Sequence, residues 1–121
     1  MQYGYILFLM LMAHAVCDFA LQSDWMAKAK ASIVQSAGLP WWYVMAMHCL
    51  INAAGVYAVA AYVGVSAPLC AMIAAMEYIA HFATDATKRR LYISAISDQA
   101  FHVVAKAAWA WVCVVGVEGA A

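Results

Sequence analysis

A chain of 121 residues that is 69% hydrophobic and 10% charged holds a single domain and lies far from the composition of a soluble one. Its six Lys and Arg balance its six Asp and Glu, and the basic residues are scattered, which removes the usual electrostatic footprint of nucleic-acid binding. The class that remains is an all-α polytopic membrane protein: one transmembrane domain over 1–121, a four-transmembrane-helix bundle with a short interfacial helix between spans one and two.

The first span is predicted over about 3–22. Met1–Phe19 contains no Lys or Arg, and Ala13-His14-Ala15 is a weak cleavage signal, so this segment reads as a retained helix and not as a secretory leader. Ser23–Ala37 then carries Lys28 and Lys30 on one side and Trp25, Met26, Ala29 and Ile33 on the other. That pattern predicts an interfacial helix over about 24–36, lying on the membrane surface.

From Ala31 to Met76 there is no Asp, Glu, Lys or Arg. One continuous helix of that length would run about 70 Å, over twice the ~30 Å hydrocarbon core, so the chain must fold back once. The turn signal is Gly64-Val65-Ser66-Ala67-Pro68, where proline suits the first turn of a new helix. Span two is therefore predicted over about 40–62 and span three over about 68–88. After the short Leu91–Ala95 connection, span four runs over about 95–117. All four must be helical, because lipid offers their backbone groups no other partner.

Lys and Arg set the orientation. Lys28 and Lys30 sit in the first connection, Lys88, Arg89 and Arg90 at the third, and none in the second or at the termini. Both basic connections fall on one side of a four-span protein, so they are expected to face the cytoplasm of a bacterial inner membrane, with both termini outside. Trp41, Trp42, Tyr43 and Tyr92 suit the cytoplasmic aromatic belt, and Tyr3, Tyr5 and Tyr62 the outer one. Cys17, Cys49, Cys70 and Cys113 all lie in apolar stretches without a CxxC pair and read as small core hydrophobes.

Ionisable groups within spans are costly and suggest function. Span one carries His14 and Asp18, span three His81 and Asp85, and span four Asp98 and His102. Each pair is spaced i,i+4 and shares a helical face. Span two adds His48, with Asn52 one turn deeper. Counted from the cytoplasmic ends, the four histidines all fall about seven or eight residues in, roughly 11 Å deep. The aspartates sit one turn nearer the cytoplasm, and the His/Asp order reverses in span four, as the chain direction does. A layered site requires that reversal.

Residues at equal depth in an antiparallel hairpin share a constant sum of residue numbers. Asp85 and Asp98, His81 and His102, and Glu77 and Lys106 share one such sum. Glu77 and Lys106 are thus expected to form a structural ion pair near the midplane, since either alone would carry a penalty of several kcal/mol. The two halves also look related, each ending a span in His-x-x-x-Asp before basic residues and adding a histidine on the next.

His14-Ala-Val-Cys-Asp18-Phe-Ala-Leu-Gln22-Ser-Asp24-Trp25-Met26, His81-Phe-Ala-Thr-Asp85-Ala-Thr-Lys88 and Asp98-Gln99-Ala-Phe-His102 follow in order over nearly the whole chain. They resemble the small bacterial and phage integral membrane proteins catalogued as domain of unknown function 3307. The resemblance implies a multi-span membrane protein with a shared His/Asp constellation and carries no established activity.

Three readings of the constellation compete. In the first, His14, Asp18, His48, His81, Asp85, Asp98 and His102 supply ligands to a divalent transition metal, Zn, Mn or Fe, which imidazole with carboxylate favours over Ca or Mg. An open coordination position would then permit metal-dependent hydrolysis near lipid headgroups, with no organic cofactor. In the second, the ladder of His, Asp and Glu handles protons or ions, although the outer half is nearly bare of polar groups. In the third, the polar residues are interhelical glue worth on average about 0.6 kcal/mol each, and the protein works by binding a partner. The small residues Ala53, Ala54, Gly55, Ala58, Ala60 and Ala61 suit close internal packing or a homo-oligomer. A nucleophilic soluble enzyme is not supported, since no Ser or Cys stands in a nucleophile setting.

Overall fold

Hydrophobic runs that cannot expose their backbone fold here into helices. The computed structural model describes residues 3–31 and 38–119. Helix α1 spans Tyr3–Ala15 and continues through a π-helical turn, Val16–Ala20; α2 spans Asp24–Ala31, α3 Trp41–Tyr62, α4 Ala67–Arg89 and α5 Ala95–Glu118. Four helical stretches, Tyr3–Ala20, Trp41–Tyr62, Ala67–Arg89 and Ala95–Glu118, are long and apolar enough to cross a membrane. The short interfacial helix is described as far as Ala31, and the remainder of its predicted range, 32–36, lies outside the described residues.

Local chemistry fixes the ends. Ser23 Oγ accepts from the Met26 amide at 3.1 Å at the start of α2, and Ser94 Oγ accepts from the Ser97 amide at 3.1 Å at the start of α5. Pro40 stands extended before α3, and Pro68 sits in the first turn of α4, where a missing N–H costs nothing. Between α3 and α4, Gly64 adopts φ +91°, a left-handed conformation that glycine alone takes freely.

The spans form a closed ring in which α1 packs on α3 and α5, and α4 packs on α3 and α5. Every neighbouring pair is antiparallel. Tyr3 at the start of α1 meets Trp111 and donates to the Ala107 carbonyl of α5, while His14 near its end meets Gln99. The half of the bundle at the chain termini has an apolar core of Ile6, Met10, Val56, Ala60, Ile73, Ala110 and Cys113. The opposite half has the buried polar residues instead, and α2 lies across that end against α3. All four cysteines are free and buried.

The small residues of α3 divide between two faces. Ala53 and Ala60 are buried, whereas Ala54, Ala58 and Ala61 are exposed. Gly55 sets the approach of α1: a Cβ built on it would lie 2.8 Å from Cys17 Sγ. Gly55→Ala should therefore lower the unfolding midpoint in detergent, because overpacking of this kind costs about 1–3 kcal/mol. In a Cys17→Ala background the same substitution should be neutral or stabilising, since alanine gains roughly 1 kcal/mol of helix propensity over glycine. Equal effects in the two backgrounds would remove this contact as the determinant of helix spacing.

Candidate metal centre

Four helices deliver the polar layer. His14, Asp18, His48, His81, Asp85, Asp98 and His102 are all buried. The i,i+4 pairs converge, with His14 Nε2 4.0 Å from Asp18, His81 Nε2 3.8 Å from Asp85 and His102 Nε2 3.4 Å from Asp98. The imidazoles form one connected cluster, with ring centroids 4.1 Å apart for His81 and His102, 5.0 Å for His48 and His81, and 5.2 Å for His14 and His102.

Within the cluster the residues separate by role. Asp18 Oδ1 lies 2.9 Å from His48 Nε2 and 3.4 Å from His81 Nε2, and the two Nε2 atoms are 3.1 Å apart. These three donors come from three different helical segments. Tetrahedral zinc with bonds of 2.0–2.1 Å needs donor atoms about 3.3 Å apart, so the triangle has nearly the size of one face of that tetrahedron. A second group, His81, Asp85 and His102, shares His81 Nε2 with the first. One nitrogen cannot serve two ions, so the two groups do not fill independently.

Of the seven residues expected as ligands, five fall in these two groups. His14 and Asp98 stand outside them. His14 Nε2 is turned to Gln99 Oε1 at 3.3 Å, and Asp98 accepts from Lys88 Nζ at 2.8 Å. The π turn explains the division within span one. The Leu21 amide bonds the Val16 carbonyl, five residues back, which widens the helix where Asp18 leaves it. Asp18 thereby reaches His48 and His81, while His14 faces α5.

The surrounding contacts define what each donor can do. Glu77 accepts from Lys106 Nζ at 2.6 Å and from Trp109 Nε1 at 2.7 Å, and its Oε1 lies 3.3 Å from His81 Nδ1. An ionised Glu77 is acceptor-only, so His81 Nδ1 carries the proton and a neutral His81 presents its Nε2 lone pair to His48 and Asp18. Metal-binding histidines are oriented by such a carboxylate behind them. Among the described residues His48 Nδ1 has no hydrogen-bond partner.

Charge compensation singles out one carboxylate. Glu77 has Lys106, Asp85 has Lys30 Nζ at 2.5 Å, and Asp98 has Lys88. Asp18 has no lysine or arginine in contact among the described residues. Its neighbours are histidines, with Gln99 Nε2 donating at 3.3 Å and Asn52 Nδ2 at 3.5 Å. A lone buried carboxylate costs several kcal/mol, so a cation must complete this group: a proton on an imidazole or a metal ion.

Sequence reasoning missed Lys30, Lys88 and Gln99 as members of the layer. Lys30 belongs, by spacing, to the polar side of a surface helix, yet its ammonium turns inward onto Asp85. No signal in the sequence gives that direction. Lys88 was legible, because the hairpin register that aligns Asp85 with Asp98 also brings Lys88 within a turn of Asp98.

Removing one partner of the Glu77–Lys106 pair should be strongly destabilising. Glu77→Gln is expected to cost about 3–5 kcal/mol, and Glu77→Gln/Lys106→Met to recover most of it. Unfolding of the wild type and the two variants in detergent checks this. A single substitution no worse than the double would mean that the pair is not coupled.

Among known proteins, a family model described as protein of unknown function (DUF3307) matches residues 6–117. No curated protein and no solved structure matched the chain.

Proposed function

The chain belongs to the DUF3307 family, and within that family we propose that it is a membrane-embedded metal-dependent hydrolase, holding one divalent transition metal ion on Asp18, His48 and His81. The observation that carries this reading is the triangle of Asp18 Oδ1, His48 Nε2 and His81 Nε2, with edges of 2.9, 3.1 and 3.4 Å around a carboxylate that no lysine neutralises. Two histidines and one carboxylate form a ligand set used by zinc hydrolases, and Mn or Fe suits the same donors.

A divalent ion with an open position lowers the pKa of bound water to about 7 and so supplies hydroxide at neutral pH. The chain's own residues provide the rest. Glu77 holds His81 through Nδ1. Asp85, whose Oδ2 is 3.6 Å from His48 Nε2, flanks the ligands and is backed by His102 Nε2 at 3.3 Å from its Oδ1. With such an ion bound, Asp85 would accept the proton given up by water, and His102, whose Nε2 lies against Asp85 Oδ1, would pass a proton to the leaving oxygen. One water is consumed, an ester bond is cleaved, and an acid and an alcohol are released.

Elemental analysis of the detergent-purified protein tests the centre. The wild type should carry about one equivalent of Zn, Mn or Fe. Asp18→Asn and His81→Ala should lose it, and His14→Ala should retain it. Absence of metal after incubation with Zn and Mn would sink the centre and leave proton handling or partner binding to account for the layer.

The same reading sets the polar layer at the cytoplasmic side of a bacterial inner membrane, with both termini outside, on the strength of Lys28, Lys30, Lys88, Arg89 and Arg90. Alkaline phosphatase fused after Glu118 should be active, and a fusion in the Arg90–Ser94 connection inactive. The opposite pattern would invert the topology and put the mouth of the site on the outer face.

A further inference from the structure

A cleft of about 290 Å³ opens between α4 and α5 beside the polar layer. The two helices are tied at both ends of it. Lys88 Nζ donates to Asp98 at 2.8 Å toward their connection, and Lys106 Nζ and Trp109 Nε1 donate to Glu77 at 2.6 and 2.7 Å at the deep end. Between the ties the lining side chains are small, Ala80 and Thr84 on α4 with Ala105 and Ala108 on α5, and they leave room between the helices. From Thr84 to Glu77 the opening runs roughly 10 Å along α4, a third of the ~30 Å hydrocarbon core.

Both walls belong to helices long and apolar enough to cross a membrane, so the mouth opens on lipid and not on water. Phe101 and Val104, 56% and 66% exposed, stand at the mouth, and buried His81 and His102 border the inner side. The cleft thus joins the lipid-facing surface to His81, a member of the proposed ligand set. Among the described residues no lysine or arginine lines it. Lys106 takes the charge of Glu77, and the Thr84 hydroxyl gives its proton to the Ala80 carbonyl at 2.8 Å. Such a wall gives an anionic group nothing to offset its desolvation, and it suits a neutral polar group on an apolar chain. The volume lies at the lower edge of the usual 300–1,000 Å³ for ligand sites. It holds one chain and its ester, and the rest of a larger molecule stays in the bilayer.

We infer that this cleft is the lateral entrance and chain subsite for the hydrolase's substrate, a neutral carboxylic ester on an apolar chain, taken from the bilayer. The inference rests on the hydrolase reading and names its substrate class. The chain lies along Ala105, Ala108 and Trp109, and the ester comes beside His81 and His102. Water supplies the new acyl C–O bond, the ester C–O bond breaks, and the alcohol leaves with a proton.

The test uses the purified full chain in nanodiscs of ether-linked phosphatidylcholine, which carry no ester of their own, with metal content measured on every sample. Binding is read first in chelator-treated protein, by photolabelling with methyl decanoate that carries a diazirine on its chain. Label is expected on 77–84 and 101–109, and unlabelled methyl decanoate should suppress it at least tenfold more effectively than sodium decanoate. Ala108→Phe, at an exposed position in the mouth, should cut labelling at least fivefold and leave metal content unchanged. Phe101→Ala, which widens the mouth, should not lower it, and Ala58→Phe, exposed on α3 outside the cleft, should change nothing. With Zn added, kcat/KM for methyl decanoate should exceed that for methyl acetate at least tenfold, and Ala108→Phe should remove most of that difference.

Stronger protection by dioctanoylglycerol than by methyl decanoate would uphold the cleft and name a glycerolipid as the source of the ester; the reverse would uphold it for a single-chain ester. Label in the cleft without hydrolysis under any metal would uphold the subsite and sink the hydrolase. Hydrolysis that Ala108→Phe leaves untouched, with label spread over all lipid-facing surfaces, would overturn the cleft and leave the hydrolase standing. Equal suppression by decanoate and its methyl ester would overturn the neutral substrate class.

Discussion

Neutralising four carboxylates inside a bundle of apolar helices is the constraint on which the polar half of this protein is built. Asp18, Glu77, Asp85 and Asp98 are all buried, and each needs a cation within reach. Glu77 takes its lysine from the neighbouring span, Asp98 from the end of α4, and Asp85 from the interfacial helix, so three ion pairs hold together α4, α5 and α2. A buried pair is a weak source of net stability, because desolvation offsets most of the attraction. Its effect is on arrangement: any packing that separates one pair leaves two isolated charges, and that penalty excludes the alternatives. Asp18 is the exception, and it lies where histidine nitrogens converge.

The membrane bundle and its antiparallel register were legible in the sequence because lipid leaves few choices. A charge-free stretch too long for one crossing must turn, and the turn must fall at Gly64–Pro68. Register followed from the ionisable residues themselves. The equal sums that align Glu77 with Lys106 and His81 with His102 reflect the same energetics as the ion pairs, since a charge at the wrong depth has no partner. Which of the histidines and aspartates meet was not legible. Simple i,i+4 reasoning gives His14 and Asp18 one face and one role, and it cannot see a π turn. That turn sends Asp18 to His48 and His81 and leaves His14 with Gln99. Lys30 was hidden for a different reason: a flexible side chain of four methylenes at the end of a short helix can point to water or to a buried carboxylate, and periodicity does not distinguish them.

The two halves of the chain supply matched parts. Asp18 meets His48 of its own half at 2.9 Å, and Asp85 meets His102 of its own half at 3.3 Å. The match ends at the first histidine of each half. His81 is fixed through Nδ1 by Glu77 and lies between both carboxylates, whereas His14 is drawn aside by Gln99. Only Glu77 makes this difference possible, and Glu77 in turn requires Lys106 and Trp109. The midplane ion pair is thus more than a packing device. It sets the tautomer of the one histidine shared by both groups, and with it which nitrogen faces the donors on α3 and the π turn.

Depth gives this arrangement its chemical consequence. The apolar core of the terminal half, from Ile6 to Cys113, closes the bundle on one side of the layer, so a conduit across the membrane would have to pass through closely packed aliphatic side chains. A cleft of about 290 Å³ between α4 and α5, bordered by His81, His102, Phe101 and Trp109, and a cavity of about 270 Å³ lined by Lys30, Met45 and Asp85 both reach the layer without crossing that core. A layer closed on one face and reached through two clefts is suited to a reaction or a binding event at the edge of the bilayer. Low dielectric strengthens every interaction of a charge held there, and the same burial makes an uncompensated Asp18 expensive to keep. A histidine proton would meet the electrostatic need with one contact. Three donors at coordination spacing, one of them oriented by a carboxylate behind it, exceed that need, and the proposed metal centre rests on this excess.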